Sequence, residues 1–148
     1  IHWNAYTGGA GDLTSNDVGE LRRVLDVAVH GLVVMVQKAL PDLRASKESA
    51  VLVTGGGFAF YNEQADGMAV SFNAMGLAVG KAAQHKLAGL LSLKLKPEGI
   101  YVGEVVVLGT VKGTAFDSGH ANLDPADIGA KFYELYQGRS VATTNFSG

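Results

Sequence analysis

Apolar residues follow two alternating patterns along the chain. Short apolar runs predict buried strands, and they are Ile1–Ala5, Ala50–Val53, Ile100–Val107 and the weaker Ser140–Phe146. Between these runs apolar residues recur three and four positions apart, which predicts helices from Val18 to about Leu40, over Ala69–Leu95 and over Ala126–Tyr136. The chain therefore reads as about four strands alternating with three helices.

Residues with capping and helix-breaking properties set the predicted helix ends. Thr14–Asp17 offers N-cap side chains, and Glu20 is placed for a capping interaction. Pro41 is expected to end the first helix and Pro97 the second, while Pro at the first helical position fits a third helix that begins after Asp124.

Alternation of strands and helices predicts an α/β fold, with a parallel sheet covered by helices on both faces. With 148 residues, one domain over 1–148 is expected. Ligands of such folds bind at the carboxyl ends of the strands. The loops to inspect are therefore Tyr6–Gly11, Thr54–Asp66 and Leu108–Asn122.

Composition excludes several classes of protein. Hydrophobic residues make up 47% and charged residues 18%, which excludes disorder, and the net charge of −2 argues against a nucleic-acid partner. The absence of cysteine excludes disulfides, thiolate metal sites and a cysteine nucleophile, and it fits a cytoplasmic protein. No membrane span is predicted, because the longest apolar stretch, Gly31–Val36, lies between His30 and Gln37.

Four segments carry a resemblance to the second half of the short-chain dehydrogenases/reductases. They are Asn4–Gly8, the helical stretch Leu21–Leu43, the strand and loop AVLVTGGG at Ala50–Gly57, and the helix, strand and loop Met75–Thr114. Their order and spacing are more specific than any one of them. The resemblance implies part of a doubly wound Rossmann-like sheet, with the nucleotide-binding N-terminal half outside this chain.

Three catalytic positions of that family carry silent residues here. The Tyr-x-x-x-Lys pair falls on Leu77 and Lys81, the serine falls near Gly55 or Gly56, and the asparagine of the earlier helix falls on Ala28. In that family the tyrosine and the lysine share a helix face because they stand four residues apart. The lysine then lowers the pKa of the tyrosine and holds the nicotinamide ribose. Leu77 cannot donate a proton, which leaves Lys81.

The resemblance also implies a wider set of site residues. Contacts with NAD or NADP would come from Asn4, Ala5, Lys81, Gly109, Val111 and Thr114, and substrate contacts from Gly55, Gly56, Asn73 and Leu77. Asn73 is placed one helical turn before Leu77. Tyr61, and less so Tyr6, could replace the missing acid. Each of these roles has a structural alternative. Gly55 and Gly56 could serve close packing, the loop at Gly109 could be a simple turn at the end of a strand, and Lys81 could be a solvated side chain.

No metal site is predicted. His30 and His85 read as ordinary helix residues, each without a carboxylate partner near it in sequence.

Three functions stay open at this stage. The first is an NAD(P)(H)-dependent oxidoreductase acting on a small carbonyl or alcohol, the second a silent relative that binds nucleotide or serves as a scaffold, and the third an autonomous α/β domain with an unrelated ligand. The chain opens without Met, as if partway through an element, and Ile1–Ala5 would form an uncovered sheet edge. We therefore expect a homo-oligomer formed through the two long helices, or a second chain that supplies the missing half.

Overall fold

The computed structural model describes residues 1–148 and contains one four-stranded sheet. The strands are β1 (His2–Trp3), β2 (Ala50–Gly56), β3 (Tyr101–Val107) and β4 (Thr143–Phe146). All pairs are parallel and the order is β1-β2-β3-β4, which confirms the predicted parallel sheet. In this register Val53 lies opposite Glu104, and Glu104 lies opposite Thr143.

Five α-helices connect the strands. They are α1 (Val18–Leu25), α2 (Leu32–Ala45), α3 (Glu63–Ser71), α4 (Met75–Leu95) and α5 (Pro125–Gly138). A π-helical segment, Asp26–Gly31, joins α1 to α2 without a break. The predicted capping is half right: Asp17 is the N-cap of α1, whereas Glu20 accepts a hydrogen bond from the Ala10 amide instead.

Two apolar clusters pack on opposite faces of the sheet, so the prediction of helices on both faces is confirmed. The cluster beneath α2 and α4 consists of Leu32, Val36, Leu43, Val51, Val53, Ala88, Leu95, Ile100 and Val102. The cluster beneath α5 consists of Val105, Leu123, Ile128, Phe132 and Leu135. Side chains alternate along β3, so Val102 faces the first cluster and Val105 the second.

The first predicted helix runs further than expected. Pro41 was expected to end it, but helix α2 continues to Ala45. A proline in a helix removes one i→i−4 hydrogen bond. Packing outweighs that loss, because Leu43, beyond the proline, is buried in the core.

The second predicted helix is in fact two helices, α3 and α4. The break lies at Asn73, whose φ is +53°, in the left-handed region. The Ala74 amide donates to the Ala69 carbonyl oxygen and the Asn73 amide donates to that of Val70, which is the hydrogen-bond pattern of a Schellman C-cap. Asn73 is therefore a helix-ending residue, and its expected place on one helix with Leu77 was wrong.

Strand β2 also runs further than expected. Thr54, Gly55 and Gly56 were assigned to a loop, but they pair with Val105, Val106 and Val107 of β3. The glycine run was misread as a loop signal, since the missing side chain of Gly55 leaves room inside the sheet core for Glu104 of β3.

The stretch Val18–Ala45 is long and apolar enough to cross a membrane by length and composition alone. Its residues Leu32, Val36 and Leu43 pack into the sheet core. A core helix of an α/β protein passes the same test, and these three side chains place one side of the stretch against the core.

Candidate functional site

The parallel sheet brings the loops after β1, β2 and β3 to one edge. Ring stacking links the first and the third of these loops, since the Tyr6 and Phe116 ring centroids lie 6.0 Å apart. The glycine-rich loop after β1 also packs on the start of α4, where the Met75 and Gly76 amides donate to the carbonyl oxygens of Gly11 and Ala10. This loop therefore caps a helix with its carbonyl groups.

The side chain of Lys81, on α4, extends toward this carboxyl edge of the sheet. Its Nζ donates to the Thr54 carbonyl oxygen at 2.8 Å and to Gln84 Oε1 at 3.1 Å, and it lies 5.7 Å from the centre of the Tyr6 ring. The aliphatic part of the Lys81 side chain passes beside Gly56, where a β-carbon would lie 3.8 Å from it, at ordinary van der Waals distance. No carboxylate lies within ion-pair distance of the ammonium.

Burial governs the protonation of this lysine. Desolvation lowers the pKa of Lys81 to about 8, and the negative charge of Glu104 partly opposes that shift. The side chain is thus mostly charged at neutral pH, yet it can release a proton at little cost.

Gln84 holds Lys81 from the helix side. The Gln84 side chain is 1% exposed, and its Nε2 donates to the Ala28 carbonyl oxygen at 3.4 Å. Ala28 lies in the π-helical segment, so this position contributes a backbone oxygen where the resemblance expects an asparagine side chain. The lysine, the glutamine and the π-helical segment form one hydrogen-bonded chain.

The silent positions predicted from the sequence surround Lys81. Leu77 lies one turn before it on α4 and is half-buried, and Gly55 is buried in β2. Neither these residues nor Ala28 offers a side-chain proton donor. The arrangement can therefore hold a ligand through an ammonium group, but it lacks a hydroxyl acid.

The structure does not bring Tyr61 into this site. Tyr61 stands directly before Asn62, the N-cap of α3, and it is 99% exposed. Asn73 packs against the glycine loop instead, since a β-carbon on Gly11 would lie 2.4 Å from its Nδ2.

The remaining predicted contacts lie at the same edge. Asn4 and Ala5 follow β1 and are exposed. Gly109 leaves β3 beside Asn122, whose Oδ1 accepts from the Thr110 amide at 3.2 Å. Two further contacts close the turn: the Thr114 hydroxyl donates to the Val111 carbonyl oxygen at 2.8 Å, and Val111 forms a β-bridge with Leu123.

Sequence reasoning missed the carboxylates that contact the two histidines. Nδ1 of His30 lies 2.6 Å from Asp26 Oδ1, and Nδ1 of His85 lies 2.5 Å from Glu104 Oε2. The prediction that each histidine lacks a carboxylate partner near it in sequence was therefore wrong for His30, whereas the partner of His85 is 19 residues away in the chain. Asp26 stands four residues before His30, so helical spacing could have shown the first pair. The second joins α4 to β3 and needs the tertiary structure.

Solved structures with a similar backbone belong to one group of enzymes. A short-chain dehydrogenase from Sphingobium yanoikuyae in complex with NADPH has 19% identity and a TM-score of 0.75 over 97% of this chain and 55% of its own. The RhlG/NADP active-site complex from Pseudomonas aeruginosa has 20% identity and a TM-score of 0.78 over 99% and 64%. A 3-ketoacyl-(acyl-carrier-protein) reductase from Brucella melitensis with NADH has 16% identity and a TM-score of 0.79 over 99% and 64%.

The chain has a partial short-chain dehydrogenase/reductase fold. It spans between 53% and 65% of the length of the similar solved structures. No family model and no curated protein matches the sequence. At these identities the comparison shows the backbone arrangement alone.

Proposed function

We propose that this chain contributes to an oxidoreductase of the short-chain dehydrogenase type, and that its carboxyl edge binds NAD(H) or NADP(H). One observation carries the proposal: the Lys81 ammonium is held at that edge by two neutral acceptors, with no carboxylate partner. An ammonium has three N–H donors, so one is left for a ligand oxygen. A ribose hydroxyl is a group of the right kind, because it accepts a hydrogen bond without carrying charge.

The neighbouring folds support the same class of cofactor. The three solved structures above are complexes with NADPH, NADP and NADH. The remaining contacts to the cofactor would come from Asn4, Ala5, Gly109, Val111 and Thr114, which lie at the same edge as Lys81. The choice between the two cofactors rests on residues beyond these.

For catalysis, this chain has to supply a proton. The reduced cofactor would supply a hydride to the carbonyl carbon of a small substrate, and the carbonyl oxygen then needs a proton. Leu77 has none to give, so Lys81 is the residue that we propose as donor, through the third N–H, which would turn from the ribose hydroxyl to the carbonyl oxygen. That N–H bond breaks, the alcohol O–H bond forms, and the neutral amine takes a proton from the solvent. A pKa of about 8 suits a general acid near neutral pH.

Calorimetric titration of the full-length protein with NADH and NADPH tests the proposal. We expect binding of at least one of them, and at least tenfold weaker binding by Lys81→Met. Lys86→Met is the matched control, because Lys86 lies on the exposed side of the same helix. If neither nucleotide binds, the proposal is wrong, and if both variants bind like the wild type, the role of Lys81 is wrong.

A catalytically silent binding protein is the second candidate. The absence of a hydroxyl acid around Lys81 favours it, since Leu77, Gly55 and Ala28 carry none. Nucleotide binding without turnover of any aldehyde or ketone in a broad panel would select this candidate. Turnover that Lys81→Arg abolishes, while binding persists, would select the first.

We further propose that the protein is soluble and cytoplasmic, and that a second copy covers the outer face of α4. The apolar residues exposed on that face are Val79 (40%), Leu90 (55%) and Leu93 (74%). Leu90 and Leu93 share the face of Val79 because they follow it by about three and about four helical turns. β1 also lies at the sheet edge and pairs with β2 alone, so a second polypeptide could complete the sheet. Light scattering on the full-length protein tests this, and a monomer at micromolar concentration would contradict it.

A further inference from the structure

Lys81 differs from every other lysine of the chain in its surroundings. The other lysines are exposed, except Lys131, which is half-buried and pairs with Glu134 at 3.0 Å. Lys81 is also half-buried, but no carboxylate lies within ion-pair distance of it. An ammonium is ordinarily stabilised by water or by an opposite charge. Folding therefore deprives Lys81 of part of its water without supplying a counter-charge in contact.

Two neutral oxygens hold the Lys81 nitrogen. The Thr54 carbonyl oxygen and Gln84 Oε1 accept hydrogen bonds from it at 2.8 Å and 3.1 Å. A neutral amine has two N–H bonds and one lone pair, whereas an ammonium has three N–H bonds. The two acceptors thus satisfy both N–H bonds of the amine and leave its lone pair free. No protein group takes that last position.

Uncharged side chains lie on either side of this nitrogen. The centre of the Tyr6 ring is 5.7 Å from Nζ, and Leu77 shares the helix face of Lys81 because it precedes it by four residues. Lysines that act as nucleophiles are typically desolvated in this way. Burial lowers the pKa of Lys81 to about 8, so about a tenth of the side chain is the free amine at pH 7.

We propose that Lys81 is a nucleophile that forms an imine with a small, uncharged aldehyde at the carboxyl edge of the sheet. The amine nitrogen attacks the carbonyl carbon, so the N–C bond forms while the π bond of the carbonyl group opens. Both amine hydrogens then leave with the carbonyl oxygen as water, and the C=N bond forms. The reaction is balanced without an oxidant or a reductant. It goes beyond the proposed function, because no nucleotide takes part in it.

Reductive trapping on the full-length protein tests the proposal. Sodium cyanoborohydride reduces the imine that propanal forms with a lysine, and peptide mass spectrometry then shows which lysines carry the propyl group. At pH 7 we expect Lys81 to be labelled about tenfold faster than Lys86, an exposed lysine of the same helix. Labelling of Lys81 at the rate of Lys86, or more slowly, would overturn the proposal.

A pair of variants at position 77 tests the role of the missing counter-charge. Leu77→Glu places a carboxylate one helical turn before Lys81, where it can pair with the ammonium and keep it protonated. Leu77→Gln introduces a side chain of the same size without the charge. Labelling of Lys81 should be about tenfold slower in Leu77→Glu than in Leu77→Gln. Equal rates in the two variants would contradict the proposal, and if either variant does not fold, the comparison of Lys81 with Lys86 in the wild type decides.

Labelling in the presence of NADPH separates this proposal from the proposed function. If the nucleotide ribose contacts Lys81, NADPH at about ten times its Kd should slow the labelling of Lys81 about tenfold and leave that of Lys86 unchanged. Labelling of Lys81 that NADPH does not slow would overturn the ribose contact and leave the imine chemistry standing. NADPH binding to a protein whose Lys81 reacts no faster than Lys86 would overturn the imine chemistry and leave the proposed function standing.

Discussion

Oε1 of Glu104 lies 2.4 Å from the point where a β-carbon on Gly55 would stand. The two residues occupy neighbouring strands, and both are buried. Real side chains do not approach that closely, so this part of the core accepts either the carboxylate or a larger residue at position 55, but not both.

Gly55→Ala is therefore expected to destabilise the protein by about 1–3 kcal/mol, the usual cost of an overpacked core. Gly89→Ala is the control, because a β-carbon there meets nothing within 4 Å and alanine favours the helix by about 0.5–1 kcal/mol. Urea unfolding measures both. The double variant Gly55→Ala/Glu104→Ala should lose less stability than the sum of the single variants, and simple additivity would contradict the clash.

Lys81→Met should change how stability depends on pH. The pKa of Lys81 falls from 10.5 to about 8 on folding, so between these values the folded state binds fewer protons and the wild type gains stability as pH rises. The shift corresponds to about 3 kcal/mol. The difference in unfolding free energy between wild type and Lys81→Met should thus move in favour of the wild type above pH 8. Lys86→Met should show no such trend, and a flat difference for Lys81→Met would contradict the burial argument.

Leu77→Tyr should restore a hydroxyl acid one helical turn from Lys81. Positioned acids contribute about 100- to 10,000-fold to rate, so we expect carbonyl reduction with NADPH to rise at least tenfold over the wild type. Steady-state assays on the full-length protein measure this. Leu77→Phe fills the same volume without the hydroxyl, and equal rates for the two variants would show that position 77 does not face the reacting group.

Gly80→Ala should force α1 and α4 apart. A β-carbon on Gly80 would lie 2.7 Å from Val24 Cγ1 and 3.4 Å from Ala28 Cβ. We expect a loss of about 1–3 kcal/mol in thermal or urea unfolding. Val24→Ala removes the closer contact, so it should recover part of the loss when combined with Gly80→Ala. No recovery would show that the helices do not pack as described.

Asn73→Ala should destabilise the turn between α3 and α4 by about 1–2 kcal/mol, because the left-handed backbone is costly for alanine. Asn73→Gly should retain more stability, since glycine adopts positive φ freely. Urea unfolding compares the two. A glycine variant weaker than the alanine variant would mean that the Asn73 side chain, which packs on Gly11, matters more than its backbone.

Local chemistry made much of the fold predictable. The near-continuous apolar run of β3 indicated a strand buried on both faces, and Asp124 with Pro125 marked the start of α5, where the Asp124 side chain accepts from the Ala126 amide. The errors came where a local signal was weaker than packing. Pro41 did not end α2 because Leu43 is buried beyond it, and the glycines of β2 stayed in the strand because β3 pairs with them.

The sequence by itself determined the alternation of elements, the parallel sheet and the helix that carries Lys81, because hydrophobic periodicity and residue type act over a few neighbouring positions. The place of Lys81 at the carboxyl edge was expected from the family resemblance alone. Only the tertiary structure decided that Lys81 is bound by Thr54 and Gln84, and that His85 pairs with Glu104, 19 residues away in the chain. Those contacts join separate elements. Burial then sets their energies, because folding removes water from a charged group, which raises its free energy, and supplies hydrogen-bond partners, which lower it.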